Sequence, residues 1–473
     1  MRDTFKPALL LCLLCLVPTA ISGFATASSS SSSSSRHSQS SRQPIKMTQS
    51  QQSSNDAVAA APNTHYYSTP LFPPSSKYHP NQNNGVPSRS SKRRWLVVDF
   101  DGTCTEHDTT PLLPKLAALA ARHYRKDSNE DIKIHKEDLA RRLVQFQELE
   151  DEFMKLFGEA KSSLLCTDEG GTEEDEIQSM HDVLDALDQP SNIVTHMVSE
   201  SRVLQGLGHV DARDLEGMLQ LSGVTTHTAT AATTAASENA QVNGESVDKV
   251  AVRLRHGCES TLARILSQNE QMNKEESSAS PSSHCSGWGL AVLSINWCPA
   301  LIDASLVRPI VRKRRNILQI DSCDTEIPIW SNHVDGDGKV SLHVPGALAK
   351  RERIVELRSH IAQTKTNRNN NDDDDDDVAD GKSVIVYVGD SSTDLAALLE
   401  ADIGILMGNS SSTAKIARRW GIDIVPLQER KAHGFGSGAN GDVGSMQKKK
   451  VLWQVDSWSE IDGMLIELDE EWA

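Results

Sequence analysis

The sequence is poor in the residues that build large cores. Of 473 residues, 38% are apolar and only 4% aromatic, so part of the chain is expected to stay unpacked. No apolar run reaches the ~20 residues that a membrane-spanning helix needs. The nearest candidate, residues 7–23, is interrupted by Pro7 and Pro18. Cysteine is present without a pattern. Apart from Cys12 and Cys15 in that apolar run, Cys104, Cys166, Cys258, Cys285, Cys298 and Cys323 form no CxxC pair. That excludes zinc-type spacing and a disulfide scaffold, and suits a reducing compartment. There is no surplus of positive charge either: 48 Lys and Arg face 65 Asp and Glu, a net of −17. Nucleic acid is therefore excluded as the main partner, because backbone binding needs clustered bases. The Gly-rich segment at 433–444 lacks the GK[ST] ending of a phosphate-cradling P-loop.

What charge there is falls unevenly. Residues 1–94 hold two acids, Asp3 and Asp56, against ten bases, a net of +8, which leaves −25 on the rest. Residues 1–23 read as a signal peptide, since the apolar core is too short for an anchor. Residues 24–94 begin at Phe24, are rich in Ser and Arg, and contain no acid before Asp56, which is transit-peptide composition. A signal joined to a transit segment opening on Phe resembles the bipartite plastid leaders of algae with secondary plastids. A plastid location with no membrane attachment in the mature form is expected. The alternative is a secreted or endomembrane protein with a Ser-rich tail.

Beyond the leader, polar stretches divide the chain. Residues 222–247, 269–287, 365–381 and 433–444 are expected to be solvated loops, because such compositions bury too little apolar surface to offset ordering. The third contains the run Asp372 to Asp377, which lacks the spaced ligands and turn glycine of a calcium loop. Between them lie short apolar runs suited to buried parallel strands: Trp95–Phe100, Leu290–Leu293, Val384–Val388 and Ile403–Met407. Helical patterns at Glu259–Leu266, Lys350–Ile361, Asp394–Leu399 and Ser412–Trp420 alternate with them, which predicts an α/β fold with a parallel sheet covered on both faces. Residues 110–220 read instead as amphipathic helices, for instance Leu112–Ala121, Lys136–Phe157 and Glu174–Leu187, with little strand signal. The expected division is a first core segment at 95–109, a helical cap at 110–248 and a second core segment at 249–473.

Three of the strands run out into polar residues: Asp99-Phe100-Asp101-Gly102-Thr103, then Ser294, then Gly389-Asp390-Ser391-Ser392-Thr393-Asp394. In parallel α/β sheets the ligand crevice lies outside the carboxyl ends of the strands, so these groups are expected to meet at one mouth. Asp99, Asp101, Asp390 and Asp394 would repel one another without a cation. Oxygen ligands of this kind favour Mg²⁺.

DFDGT, a strand-terminal Ser, a Lys and GDSSTD in that order resemble the haloacid dehalogenase superfamily, across roughly residues 95–430. The resemblance implies a Rossmann-like core and the following roles. Asp99 takes the phosphoryl group as an aspartyl phosphate and ligates Mg²⁺. Asp101 protonates the leaving alcohol and then activates water, with its backbone carbonyl on the metal. Thr103 steadies Asp101. Ser294 and Ile295, with backbone N–H groups at Phe100, hold the phosphoryl oxygens. Asp390 and Asp394 complete or orient the metal shell. Lys350 is the expected third-motif cation, in competition with Arg351 and Arg353. The acid at Asp101 points to phosphate-ester hydrolysis, and the helical insertion resembles a cap that closes over small substrates.

A narrower similarity lies in DFDGTCT, LRHGC, SINW, IWSN and YVGDSSTDLAALLEADIGILMG, which look like the phosphatase domain of plant thiamin monophosphate phosphatases and related fungal and algal proteins. The expected activity is Mg²⁺-dependent hydrolysis of a small phosphorylated metabolite, with thiamin monophosphate as first candidate and pyridoxal phosphate or phosphoserine as others. The alternatives are a phosphotransferase or mutase using the same intermediate, and a non-catalytic scaffold on this fold. Cys104, Trp297, His107 and His256 lie close to the motifs but read as packing or cap-facing residues.

Overall fold

A computed structural model of the chain describes residues 94–124, 129–165, 180–222, 250–276, 287–319, 327–369, 383–430 and 450–471, all within the compact unit Tyr66–Ala473. The leader up to residue 93, the Asp372 to Asp377 run, the Gly-rich segment 433–444 and nearly all of 222–247 lie outside the described residues, while Arg94, expected in the leader, belongs to the first strand.

Four of the apolar runs form the heart of a parallel sheet. Strand β1 is Arg94–Val98. After it come helices α1 (Leu113–Tyr124), α2 (Asn129–Leu165), α3 (Met180–Ser201) and α4 (Ala212–Met218), then strands β2 (Leu219–Ser222) and β3 (Val250–Arg253). Helix α5 (Cys258–Glu276) leads to β4 (Trp288–Leu293), α6 (Pro299–Ile302), α7 (Arg308–Leu318) and β5 (Ile329–Trp330). A small hairpin, β6 (His333–Val334) with β7 (Val340–Ser341), precedes α8 (Ala347–Asn369). The chain then alternates through β8 (Val384–Gly389), α9 (Leu395–Glu400), β9 (Ile403–Met407), α10 (Ser411–Arg419), β10 (Asp423–Pro426), β11 (Val451–Val455) and α11 (Trp458–Glu471).

The main sheet has the order β10-β11-β9-β8-β1-β4-β5, with every pairing parallel. Side chains alternate across it. Leu96, Val98, Leu290, Val292, Val386 and Val388 face a core closed by α5 and α11. Val97, Ala291, Leu293, Ile385 and Tyr387 face the opposite core, closed by α8, α9 and the first half of α3. Strands β4 and β8 are buried at every position, as expected of strands covered on both faces. β1 sits between β8 and β4, so the residues that follow these three strands emerge side by side.

A third apolar cluster joins Leu116, Phe146, Val194, Val198 and Leu215 of the inserted helices to Leu301 and Ala304. Helix α3 therefore spans two cores: Val183, Leu184 and Leu187 belong to the sheet side, Val194 and Val198 to the insertion.

Three expectations need correction. The insertion region ends in a strand, β2, paired in parallel with β3 across the polar segment; LQLS and VAVR are short runs whose period-2 pattern is weak beside the helices before them. Helix α5 continues through Glu276, into the expected loop at 269–287. Likewise α8 continues to Asn369, past 365. Low apolar content argued for loops there, but Glu, Gln, Lys and Met are good helix formers and a helix needs no apolar face at its free end.

Candidate active site

The chain leaves β1 in extended form and turns at once. The Asp99 N–H donates to the Val388 carbonyl (2.9 Å), which extends the ladder one residue beyond the strand. The carbonyl of Phe100 then accepts from Cys104 N–H (2.9 Å) and Thr105 N–H (3.1 Å), closing a tight loop. At its apex Gly102 has φ +71°, and a Cβ there would collide with the Asp390 carboxylate. Glycine is required on both counts. Trp458, at the start of α11, buttresses the loop by donating its indole N–H to the Thr103 carbonyl (2.9 Å).

Lys350, on the first turn of α8, is fully buried and bridges two carboxylates. Its Nζ lies 3.0 Å from Asp99 Oδ1 and 2.6 Å from Asp394 Oδ1. The competing cations point elsewhere: Arg351 pairs with Glu400 and Arg353 with Glu356. Asp394 is held by five donors. Lys350 Nζ and the Tyr387 hydroxyl (2.7 Å) reach Oδ1; Asp390 N–H (3.1 Å), Ser391 N–H (3.1 Å) and Ser391 Oγ (2.9 Å) reach Oδ2. The loop after β8 is thus folded around its own last acid.

Asp101 is fixed from farther away. Its Oδ1 accepts from the Thr109 N–H (2.8 Å) and hydroxyl (2.7 Å), and its Oδ2 from Asn296 Nδ2 (2.8 Å). Asn296 also donates to Thr109 Oγ1 (3.0 Å), and its Oδ1 accepts from Cys298 N–H (2.9 Å). This revises the expected partner of Thr103, whose hydroxyl donates to Asp390 Oδ1 (3.1 Å) rather than to Asp101. The turn at Gly102 explains the difference: with φ +71° it sends Thr103 toward Asp390 while Asp101 faces Thr109 and Asn296.

Ser294 is buried at the end of β4, with its N–H on the Trp330 carbonyl (2.9 Å) and its Oγ accepting from Asn296 N–H (3.2 Å). The carbonyl of neighbouring Ile295 accepts from Asn332 Nδ2 (2.8 Å). Phe100 buries its ring in the sheet core, so only its main chain faces the mouth. The structure therefore brings Asp99, Asp101, Ser294, Lys350, Asp390 and Asp394 to one end of the sheet. Sequence reasoning missed Thr109, Asn296 and Tyr387, for which only their nearness to DFDGT, SINW and GDSSTD offered any signal.

Burial dominates the electrostatics. It pushes the Asp99 carboxyl well above the ordinary carboxylate range, with Lys350 opposing and Asp394, Asp390 and Asp101 adding to the rise. Burial, then Asp394, takes Asp390 up to about 7. Burial, then Asp108, raises Asp101 to about 7 against the pull of its three donors. Asp394 goes the other way: burial would raise it, but Lys350, Tyr387 and the Ser391 amide together hold it low. Lys350 is raised despite burial, by Asp394 and Asp99.

Carboxylate oxygens of Asp99, Asp390 and Asp394 lie within 4.8 Å of one another. One lysine cannot neutralise them, and the donor set is all oxygen and sheltered. Such a site fits a small hard divalent cation. Cys104 is buried beside Cys258, and burial pushes its thiol well up, which makes it a poor nucleophile. Trp297 packs against the apolar cluster of the insertion.

The chain is 24% identical over 375 residues to the bifunctional TH2 protein, mitochondrial, of Arabidopsis thaliana, a match covering 77% of this chain and 48% of that protein. It thus spans about half the length of the curated relative it matches. No protein-family profile matches it. Similar solved structures include a phospho-aspartyl intermediate analogue of phosphoserine phosphatase, at 14% identity and TM-score 0.27, covering 69% of this chain and 91% of that one. Another is a HAD family hydrolase from Salmonella enterica subsp. enterica serovar Typhi, at 12% identity and TM-score 0.27, covering 68% and 65%. The motif residues and the parallel sheet that carries them resemble those of haloacid dehalogenase superfamily phosphatases, and the TH2 match is a similarity of the same kind.

Proposed function

We propose that this protein is a Mg²⁺-dependent phosphomonoesterase that works through an aspartyl phosphate on Asp99. The observation that carries the reading is the bridge from buried Lys350 to Asp99 and Asp394, at the same strand ends as Asp101 and Ser294.

In this reading an Asp99 oxygen attacks phosphorus, and the bond from phosphorus to the ester oxygen breaks. Asp101 gives its proton to the departing alkoxide. A water then attacks the phosphoaspartate, Asp101 takes the proton from that water, and phosphate leaves with Asp99 restored. A carboxyl held near 7 suits a group that must both give and take a proton near neutral pH. Lys350, Ser294 and the main chain at Phe100 and Ile295 bind the phosphoryl oxygens, whose charge needs compensation at each equatorial position. Asp99, Asp390 and the Asp101 carbonyl would hold Mg²⁺, which supplies further neutralisation of the phosphoryl oxygens. Asp394, with both oxygens already engaged, orients Lys350 and the Asp390 loop. Thr103 contributes by aligning Asp390.

The inserted helices act as the cap that limits water at the acyl phosphate. Residues 1–23 and 24–94 form the signal and transit parts of a plastid leader, 110–248 the cap, and 95–109 with 249–473 the core. The substrate is a small phosphorylated metabolite. Thiamin monophosphate stands first, because DFDGTCT, LRHGC, SINW and IWSN resemble the phosphatase domain of plant thiamin monophosphate phosphatases.

The test is phosphate release with and without Mg²⁺ from a panel of esters that includes thiamin monophosphate, pyridoxal phosphate and phosphoserine. Asp99→Asn is expected to lower the rate by about 10³-fold or more. Equal rates in both proteins overturn the nucleophile. No release from any ester by the wild type favours the scaffold reading.

A further inference from the structure

Helix α8, which presents Lys350, begins at Ala347, and the residue before it is Gly346. Glycine has no side chain with which to cap the first turn. The first intrahelical bond of α8 is made by Lys350 itself, whose N–H donates to the Gly346 carbonyl (3.1 Å). The lysine thus closes the opening turn. The first amide of that turn is satisfied from outside the helix: Ala347 N–H donates to Asp188 Oδ2 at 2.7 Å. Asp188 is buried and sits on α3 at the point where that helix passes from the sheet-side core, with Leu187, toward the insertion core, with Val194. Gly346 lies against the same carboxylate, and a Cβ there would collide with it.

We propose that Asp188 is a positioning residue of the active site, a carboxylate from the inserted helices that caps α8 and thereby sets the turn bearing Lys350. A helix leaves its first N–H groups unpaired, and a carboxyl oxygen beside them accepts from a donor at the positive end of the helix dipole. The demand for accuracy comes from the other end of the lysine. Its Nζ must stay within hydrogen-bond reach of Asp99 and Asp394 together, and it has no solvent to move into. A small displacement of the turn breaks one bond or strains the other. The seating of α3 on the core and the placement of Lys350 are then one event. The insertion contributes to the chemistry through a residue that never touches the substrate.

The activity readout rests on the phosphatase reading above; an exchange readout does not. Kinetics of phosphate release, melting temperature and amide hydrogen exchange are compared for wild type, Asp188→Ala, Asp188→Asn, Gly346→Ala and Asp211→Ala. Asp211 caps α4 through the Arg213 and Asp214 amides and serves as a cap on a helix that does not carry the lysine. Asp188→Ala is expected to lower kcat about 10-fold with KM within about two-fold, the mark of a misplaced group rather than lost binding. Asp188→Asn keeps an acceptor oxygen for Ala347 and recovers most of kcat. Gly346→Ala reproduces Asp188→Ala and stands in for it if that variant does not fold. Asp211→Ala lowers the melting temperature and leaves kcat unchanged. Exchange at the Ala347 and Lys350 amides is faster in Asp188→Ala and in Gly346→Ala, without substrate present. Wild-type kcat in Asp188→Ala, no recovery in Asp188→Asn, or unchanged exchange at those amides overturns the proposal. If the wild type releases no phosphate from any ester, the phosphatase reading fails, and the exchange measurement alone decides whether Asp188 sets this turn.

Discussion

The loops after β8 and β1 each carry a carboxylate of the site, Asp394 buried and Asp101 half-buried, yet the two acids are held in opposite ways. Asp394 is wrapped by its own loop, with Asp390, Ser391 and Tyr387 all within seven residues, and Lys350 completes the set. It has five donors and a full positive charge, so its carboxyl stays low although burial alone would raise it. Asp101 has three donors, none carrying a charge, from Thr109 and from Asn296, 195 residues away. Burial and Asp108 win there, and the group rises to about 7. The lesson is that hydrogen-bond number alone does not decide the state of a buried acid. A charge partner keeps a carboxyl low; neutral donors alone leave it raised.

Removing the charge partner should break this contrast most severely. Lys350→Met leaves Asp99 and Asp394 buried together without a cation. A stability loss of about 3–5 kcal/mol is expected, read by urea unfolding at pH 7, together with loss of phosphate release. Stability close to wild type would show that the lysine is not what holds Asp394 ionised.

Tyr387→Phe takes one donor from Asp394 and leaves Lys350. About 1–2 kcal/mol should be lost in the same unfolding experiment, with the pH dependence of turnover unmoved. Because Asp394 is held below its ordinary 3.8, its contribution is present above that value and lost only as the pH falls beneath it. The Tyr387→Phe deficit should therefore be constant from pH 5 to 8, and a deficit that changes across that range would contradict the assignment.

Thr109→Val acts on the other acid. In the proposed mechanism Asp101 enters the first step protonated, so kcat/KM is expected to fall as pH rises through about 7. The Thr109 hydroxyl favours the ionised form, and its loss should move that limb upward by roughly half a unit to one unit. A limb that stays in place while Thr109→Val remains folded would separate the pH dependence from Asp101.

Much of the core could be read directly from the chain. Short apolar runs gave β1, β4, β8 and β9 their strong signal, and polar residues follow β1, β4 and β8 at once, so their convergence came from topology alone. The resemblance called for a cation at the start of the helical pattern ahead of GDSSTD and left Arg351 and Arg353 in competition with Lys350. The partners of these groups were not legible. Thr109 lies eight residues past Asp101, with nothing local to mark it, and Asn296 meets that acid only because β4 neighbours β1 in the sheet. The resemblance pairs Thr103 with Asp101, whereas the turn at Gly102 sends it to Asp390. Helix extents at α5 and α8 were underread, since low apolar content separates buried from unburied chain better than it separates helix from loop.

The sequence by itself determined the parallel α/β class, the strand-end position of Asp99, Asp101, Ser294, Asp390 and Asp394, and the excess of negative charge that calls for a cation. These follow from local pattern: strand period, polar residues at strand ends, and composition. Only the tertiary structure decided which acid is paired with a charge and which meets neutral donors alone, which cation reaches the site, and that an acid from the inserted helices caps the turn bearing Lys350. Those outcomes depend on burial and on contacts between residues up to 251 positions apart, and local pattern carries no record of such distances.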